Sequence, residues 1–265
     1  MALNGLTVGF VGTAVTIQTD DPALRSLIRQ YFQHCLTENQ TPIAQYHIRE
    51  NSLYFNKDLL RAAVDPVRLL EPWLQHMMEQ LITANCQHLV LHAAGLAWQD
   101  QGVLLCGVSG SGKSTLTAVL AAAGADYLSD EMVAVNGELM LGFARPLVLK
   151  EGSAFVWREA ALAEAPLALP GRLVWIRPLL LRPDCVRQSA RPGLILFPRY
   201  EAGVGLAIRP LSTAETVYTL MQHLVNARNL PGYGLMAVRQ LAQQTTAYQL
   251  TYGSAQQVVD WLESL

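Results

Sequence analysis

The sequence lacks the features that mark several large classes of protein. Only 15% of the 265 residues are charged and the formal net charge is −2, whereas disordered chains and cationic nucleic-acid binders depart strongly from neutrality. The four cysteines show no C-x-x-C spacing, so neither a cysteine metal site nor a disulfide framework is expected. Apolar runs are too short to span a membrane, and no basic residue precedes an apolar stretch in Met1–Gly5. We therefore expect a globular cytoplasmic protein with no secretion signal and no nucleic-acid or membrane partner.

Hydrophobic residues make up 51% of the chain, which is enough apolar surface for one large core or two unequal ones. We predict an amino-terminal α+β domain over residues 1–86, with an accessory or substrate-recognition role, and a larger domain over residues 87–265. The elements predicted in the first domain are strands over Leu6–Gly12 and Ala14–Thr19, a helix over Ala23–Leu36, a hairpin over Gln45–Asp58 and a helix over Asp65–Leu81 that Pro72 kinks or restarts.

The second domain has the alternating pattern of an α/β protein, with an irregular stretch over residues 145–210, where prolines are frequent. Ser212 and Glu215 have the spacing of a capping box and predict a helix to about Asn229. The other predicted elements are strands over Leu89–Trp98, Gly102–Cys106, Asp126–Leu128 and Tyr248–Tyr252, a helix that ends at Gly124, a hairpin around Asn136-Gly137, and helices over Leu235–Gln244 and Ala255–Leu265.

A phosphate-binding loop is the most specific motif in the chain. The pattern G-x-x-x-x-G-K-S follows a predicted buried strand and precedes a predicted helix, which is the setting in which backbone N–H groups form a nest for phosphates. Its lysine supplies a cation for the outer phosphates and its serine hydroxyl is a magnesium ligand. The predicted nucleotide-binding residues are Gly107, Val108, Ser109, Gly110, Ser111, Gly112, Lys113, Ser114 and Thr115.

An acidic pair and a histidine accompany this loop. Asp130 and Glu131 end the strand that follows the loop helix, and His92 lies on the strand before the loop. Residues that leave the carboxyl end of a neighbouring strand face the same crevice as the phosphates. One carboxylate could hold magnesium and the other could accept a proton from an attacking hydroxyl, the two roles that phosphoryl transfer requires.

The stretches "LHAAGLAW", "GVSGSGKST" and "YLSDEM", in that order and spacing, resemble the HPr kinase/phosphorylase family, whose core is similar to that of phosphoenolpyruvate carboxykinase. The resemblance covers about residues 88–150 and implies a P-loop kinase core of this type. It implies that Asp130 is the general base on a serine hydroxyl, that Glu131 and Ser114 serve the metal, and that His92 and Lys113 assist catalysis. It also implies that Arg145 and Lys150, in "FARPLVLK", contact the substrate or the transferred phosphate.

The resemblance implies an ATP- and Mg²⁺-dependent kinase whose acceptor is a serine or threonine of a peptide or small protein, such as the precursor of a ribosomally made natural product. The Glu-x-Arg-Gly-Leu-Gly stretch that accompanies phosphorylase activity in the bifunctional members is absent. Those members form rings, so a homo-oligomer is compatible with the resemblance. A nucleotide-dependent switch that hydrolyses slowly and a kinase of a small-molecule hydroxyl remain alternatives, and the choice between ATP and GTP stays open.

Charge is distributed unevenly along the chain. Residues 145–209 contain ten Lys or Arg and five Asp or Glu, and an arginine-rich segment near a nucleotide can steer an acidic peptide or clamp a phosphate. The alternative for each arginine is an alkyl stem that covers apolar surface while its charged end stays in water.

Overall fold

The protein is a mixed α/β chain with several sheets. The structure, a computed structural model, describes residues 5–153, 155–156 and 164–265. The expectation about a secretion signal rests in part on residues 1–4 and so falls outside the described residues. Contacts divide the chain into two units, one that extends to Cys86 and includes Ala168–Leu173, and one that comprises Gln87–Leu167 and Val174–Leu265. Among the described residues no helix has both the length and the apolar character needed to cross a membrane.

The first unit contains a five-stranded sheet and two helices. Its elements are β1 (Leu6–Phe10), β2 (Thr13–Thr19), α1 (Pro22–Tyr31), β3 (Ala44–Arg49), β4 (Ser52–Phe55), β5 (Asp58–Ala62) and α2 (Leu70–Ala84). The strands lie in sequence order, with β2 and β3 parallel and the other neighbours antiparallel. Leu6, Val8 and Phe10 alternate with less buried residues, because one face of the sheet packs on the core.

Helix α1 begins where the sequence predicts and ends earlier. The Asp21 carboxylate accepts hydrogen bonds from the N–H groups of the first turn, and Pro22 occupies the first helical position. The helix ends at Tyr31, and a short 3-10 turn follows over Gln33–Cys35. The predicted end at Leu36 is wrong because this turn also buries apolar side chains, so the apolar pattern continues past the last helical residue.

Pro72 does not interrupt helix α2, although a kink or a restart was expected there. It is the third residue of the helix, where backbone N–H groups have no intrahelical acceptor and a missing donor costs little. The preceding segment, Pro66–Leu69, is a 3-10 turn that Asp65 caps by accepting a hydrogen bond from the Val67 N–H at 2.9 Å.

The rest of the chain is dominated by a nine-stranded sheet. The remaining strands of the chain, which form this sheet and a small second one, are β6 (Leu89–His92), β7 (Ala94–Trp98), β8 (Gln101–Leu105), β9 (Asp126–Ser129), β10 (Met132–Val135), β11 (Met140–Gly142), β12 (Leu147–Lys150), β13 (Leu167–Leu169), β14 (Leu173–Ile176), β15 (Ser189–Tyr200), β16 (Ala207–Pro210) and β17 (Thr246–Tyr252). The described helices of this part are α3 (Lys113–Ala123), α4 (Pro178–Leu181), α5 (Thr213–His223), α6 (Leu235–Gln244) and α7 (Ala255–Glu263). The large sheet has the order β6-β10-β11-β15-β8-β7-β9, with β17 beside β15 and β16 beside β17, while β12 and β14 are neighbours in the small sheet.

Strand β8 is buried on both faces of the large sheet. Val103 and Leu105 belong to the core that α3 and α7 cover, whereas Leu104 and Cys106 belong to the core that α5 and α6 cover. Because successive side chains point to opposite faces, a strand between two layers of helices reads as a continuous apolar run. The loop after Cys106 therefore leaves a rigid, fully packed strand.

The strand predicted over Leu89–Trp98 is two strands, which is a correction with consequences for the site. β6 pairs with β10, whereas β7 pairs with β8 and β9. Between them the Ala93 N–H donates to the Glu131 carbonyl at 3.1 Å. The chain thus changes neighbours at Ala93, and His92 lies at the end of a strand, beside the acidic pair.

The sequence predicts irregular structure around a few short strands in residues 145–210, including one over Leu194–Phe197, and the structure extends that strand to the twelve residues of β15. Pro192 lies where the pairing of β15 with β8 shifts register, so its missing donor coincides with a local irregularity. Pro198 lies two residues after Leu196, whose carbonyl accepts from Cys106 beyond the end of β8.

The carboxyl-terminal helices agree with the sequence in type, and two of them end earlier than predicted. The capping box of Ser212 and Glu215 is present, but α5 ends at His223 and not near Asn229. Leu224 then pairs with Leu91 as an isolated bridge, so tertiary pairing with β6 replaces the last helical turns. Helix α6 has the predicted bounds, and α7 ends two residues before the predicted end.

Candidate active site

Four strands bring their carboxyl ends to one edge of the large sheet. β15 is parallel to both β8 and β17, and β9 has the direction of β8 because both are antiparallel to β7. The glycine-rich loop follows β8, and Asp130 follows β9. Ligands of open α/β sheets bind in the crevice outside such strand ends, so this edge is the candidate site.

The loop Gly107–Ser114 connects β8 to α3, as the sequence predicts. Gly112 has φ +88°, and a Cβ atom at this position would lie 2.4 Å from the Tyr252 hydroxyl and 3.0 Å from the Tyr200 Cβ. The site therefore requires glycine both for its left-handed backbone and for lack of space. The arrangement directs the first N–H groups of α3 into the crevice, where they suit an anion.

Lys113 connects the loop to the acidic pair. It is the first residue of α3, its side chain is buried, and its Nζ donates to the backbone carbonyl of Asp130 at 2.6 Å. Its own carbonyl accepts from the Thr117 hydroxyl at 2.8 Å, which fixes the first turn of the helix. The Lys113 ammonium thus lies at the backbone of the acidic pair, and its charge lowers the pKa of both side chains.

The Asp130 side chain is buried and unusual in its surroundings. It is 1% exposed, and within residues 5–153, 155–156 and 164–265 neither carboxylate oxygen has a hydrogen-bond partner. Burial raises the pKa of Asp130, and this effect outweighs the nearby cations of Lys113 and Arg145. The Ser114 hydroxyl lies close enough to favour the charged form, although it does not complete a hydrogen bond. A carboxyl with a raised pKa and open lone pairs is suited to accept a proton.

The electrostatic surroundings of Glu131 are the opposite of those of Asp130, because they favour its charged form. Its Oε1 lies 2.9 Å from His92 Nε2, and its Oε2 accepts from Arg145 Nη2 at 3.1 Å. Burial alone would raise the pKa of Glu131, but the hydrogen bond from His92 and the charges of Arg145 and Lys113 together lower it to about 2. The side chain is 32% exposed, so Glu131 presents a permanent negative charge to the crevice.

Arg145 supports Glu131 from a buried position. Its side chain is 3% exposed, and it also donates to the Pro146 carbonyl at 3.1 Å. The resemblance implies contact with substrate or transferred phosphate, and the structure places the guanidinium on Glu131. Lys150, assigned the same role, is exposed at the end of β12. Within the described part of the chain it forms no hydrogen bond or ion pair with the other site residues.

Oxygen donors near the loop suit magnesium. The Ser114 hydroxyl and the two carboxylates are the hard ligands that this ion prefers, and magnesium at a phosphate site keeps several waters and phosphate oxygens. No cluster of three or more His, Cys, Asp or Glu side chains able to hold a metal occurs in the described segments. The residues present fit an ion that is shared with a phosphate.

The neighbouring loop residues have different surroundings. Val108 is 72% exposed, whereas the Ser111 hydroxyl is buried and lacks a partner in the described part of the chain. The Thr115 hydroxyl lies 2.7 Å from that of Ser153.

His223 is a site residue that sequence reasoning missed. It is 8% exposed, and its ring stacks on Phe197 with a centroid distance of 6.4 Å. Burial lowers its pKa, and the positive charges of His92 and Lys113 lower it further. No local signal marks it, because the sequence predicts that the helix continues past this position.

Two arginines of residues 145–209 lie away from this edge of the sheet, whereas Arg145 of the same segment lies in the site. Arg182 pairs with Asp126 at 2.6 Å, and Arg187 pairs with Asp100 at 2.7 Å. Asp126 begins β9 and Asp100 precedes β8, so both carboxylates lie at the end of the sheet opposite the loop. For these arginines the predicted steering role is wrong, because local carboxylates neutralise them away from the crevice.

Comparisons with known proteins give a distant relation of folds. The sequence matches no protein-family model, and it matches no curated protein sequence. The structure is similar to a solved structure of the HPr(Ser) kinase/phosphatase from Coxiella burnetii, with 12% sequence identity and a TM-score of 0.33. The match covers 66% of this chain and 97% of that chain. At this distance the function has to be argued from the site itself.

Proposed function

We propose that the chain is an ATP-dependent kinase that transfers the γ-phosphoryl group to a serine or threonine hydroxyl of a peptide or small protein. The observation that carries the proposal is the 2.6 Å hydrogen bond from Lys113 Nζ to the Asp130 carbonyl. It joins a loop suited to phosphates to the backbone of the residue whose carboxyl is suited to a proton, and a kinase site needs both groups within one crevice.

The loop provides binding and charge neutralisation. Backbone N–H groups between Gly107 and Ser114 surround the phosphates, and the positive end of α3 favours their negative charge. Lys113 moves from the Asp130 carbonyl to the β- and γ-phosphate oxygens, where it stabilises charge on the transferring group.

In this proposal Asp130 is the general base for the acceptor hydroxyl. The acceptor hydroxyl gives its proton to the Asp130 carboxylate while its oxygen bonds to the γ-phosphorus. The bond from that phosphorus to the β,γ-bridging oxygen breaks, and ADP leaves with the negative charge. The acceptor has to reach a carboxylate that is covered in the structure, and such contacts often tighten only when substrates bind.

Glu131 and Ser114 hold magnesium in the proposed site. Magnesium held by these two residues would supply positive charge against the charge that develops on the phosphates during transfer. Glu131 remains ionised because of His92 and Arg145, and the two side chains also fix its orientation. His92 is therefore a positioning residue.

Peptide phosphorylation in a defined pool tests the proposal. The protein is incubated with Mg²⁺ and ATP or GTP, and phosphopeptides are identified by mass spectrometry. Asp130→Asn should lower transfer by about 10²- to 10⁴-fold with nucleotide binding retained, whereas Asp260→Asn, at an exposed position on α7, should change nothing. Phosphate release without any labelled peptide would instead support a nucleotide-dependent switch.

Magnesium titrations separate the roles of the two acids. Glu131→Gln should raise the Mg²⁺ concentration required for half-maximal transfer, because a neutral amide is a weaker ligand than a carboxylate. Asp130→Asn should leave that concentration unchanged in its residual activity. The reverse result would exchange the two assignments.

A further inference from the structure

Two tyrosines lie beside the loop on the side away from the acidic pair. The Tyr200 N–H donates to the Ser111 carbonyl at 3.0 Å, and its Cβ is close to Gly112. Tyr252 packs its hydroxyl end against the same glycine. The two residues end β15 and β17 and are paired in register, so the loop and both strand ends form one continuous surface.

The two rings differ in exposure. Tyr252 is 2% exposed, whereas Tyr200 is 50% exposed. Their centroids are 5.8 Å apart with an interplanar angle of 65°, an edge-to-face contact, which is a favourable geometry for aromatic pairs. The buried ring therefore supports the exposed one, and a face of Tyr200 remains available to a ligand.

The strand order gives the direction of a bound nucleotide. The acidic pair follows β9, which lies beyond β7 on one side of β8, whereas β15 and β17 lie on the other side. Lys113 points to the acidic side, so the terminal phosphate belongs there. A nucleotide that extends across the loop from that end places its base over the ends of β15 and β17.

We infer that Tyr200 is the stacking platform for the nucleotide base. This inference rests on the proposed function and extends it to the part of the substrate that the phosphate loop does not contact. Stacking on an aromatic ring tolerates any base, because every base has a π-face. Tyr200 thus contributes affinity for both ATP and GTP and does not distinguish them.

Binding measurements with and without a base test the inference. Dissociation constants are measured by calorimetry for MgATP, MgGTP and magnesium tripolyphosphate, which has the phosphates but no base. Tyr200→Ala should weaken both nucleotides by at least about five-fold and leave tripolyphosphate binding unchanged. Tyr200→Phe should bind like the wild type, and Tyr218→Ala, at a 71% exposed position on α5, is the matched control.

The outcomes separate this inference from the proposed function. An equal loss for nucleotides and tripolyphosphate would show that the substitution distorts the loop, and it would overturn the stacking assignment, as would unchanged nucleotide binding. Base-dependent binding without transfer to any peptide would support the platform and contradict the kinase. A wild-type protein that binds neither ligand would overturn both.

Discussion

His92 Nε2 lies 2.9 Å from Glu131 Oε1, and this contact joins the end of β6 to the turn between β9 and β10, which follows the loop and helix α3 in the chain. It exists because the chain changes neighbours at Ala93, which leaves His92 at the end of β6 next to the residue that precedes β10. Together with Arg145 it fixes both oxygens of Glu131. The orientation of the proposed magnesium ligand thus depends on residues that never contact the metal.

The first prediction concerns this contact. His92→Ala should lower kcat about ten-fold with little change in KM for ATP, because Glu131 loses one of its two orienting partners and the loop is untouched. In a double-mutant cycle with Glu131→Gln, the effects on kcat should be far from additive, as expected for residues in direct contact. Additive effects on kcat would mean that His92 acts independently of Glu131.

The second prediction concerns the folding stability that is lost because the Asp130 carboxyl is buried. Its folded-state pKa lies above the unfolded value of 3.8, so the unfolded chain releases the proton first and stability falls as pH rises through the folded-state pKa. Asp130→Asn removes this loss, and at pH 7 it should raise the free energy of unfolding by about 1 kcal/mol, a Tm increase of about 2–4 °C.

Thermal melts of wild type and Asp130→Asn between pH 4 and pH 8 check this prediction. The difference between the two proteins should grow as pH rises from 4 and level off above the folded-state pKa of Asp130, and Asp260→Asn should follow the wild type. A lower Tm for Asp130→Asn at pH 7 would show that the carboxylate has stabilising partners, contrary to its unpartnered oxygens.

The local parts of the fold are those that the sequence predicts well. The strand, loop and helix around Lys113 and the capping box at Ser212 follow from short-range chemistry, namely a glycine nest and a serine with its glutamate partner. The misplaced helix end at His223 and the undivided strand over Leu89–Trp98 have a common cause. Both depend on which strand lies alongside, and residues far apart in the chain decide that.

The candidate site shows the same division. Lys113 and the acidic pair are identified from motifs, and the structure brings them together at one sheet edge. The part played by Arg145 as a partner of Glu131 could not be read from its neighbours in sequence, because it requires a buried side chain to turn towards another segment. Tyr200 carries no motif, and only the topology places it beside the loop.

The third prediction concerns His223. Its folded-state pKa is lowered below the ordinary 6.5, so the unfolded chain takes up a proton first as pH falls, and stability declines below about pH 6.5. His223→Gln should reduce this decline. Urea unfolding at pH 7.5 and pH 5 measures it, and part of the decline should remain because the pKa values of His34 and His88 are also lowered by burial.

Protonation of His223 should also affect phosphate binding at the candidate site. The pKa of His223 responds to the charges of His92 and Lys113, so the positive charge that His223 gains at low pH should act on the site in turn. Phosphate binding at pH 5.5 should therefore be stronger in the wild type than in His223→Gln, relative to pH 7.5. An identical pH profile of tripolyphosphate binding in the two proteins would place His223 outside the reach of the phosphates.

The last prediction concerns the arginines at the opposite end of the sheet. Arg182 donates to the Ala125 carbonyl at 3.0 Å as well as to Asp126, and thereby ties the end of α3 to the start of β9. Arg182→Ala should lower the free energy of unfolding by about 1–3 kcal/mol, because a half-buried carboxylate and a carbonyl lose their donor. It should leave KM for an acidic acceptor peptide unchanged, since the side chain does not face the crevice.

Tm and KM are measured on the same preparations, with Arg25→Ala on α1 as the control of equal charge change. A rise in KM that Arg25→Ala does not reproduce would restore the arginine segment as a binding surface for the acceptor.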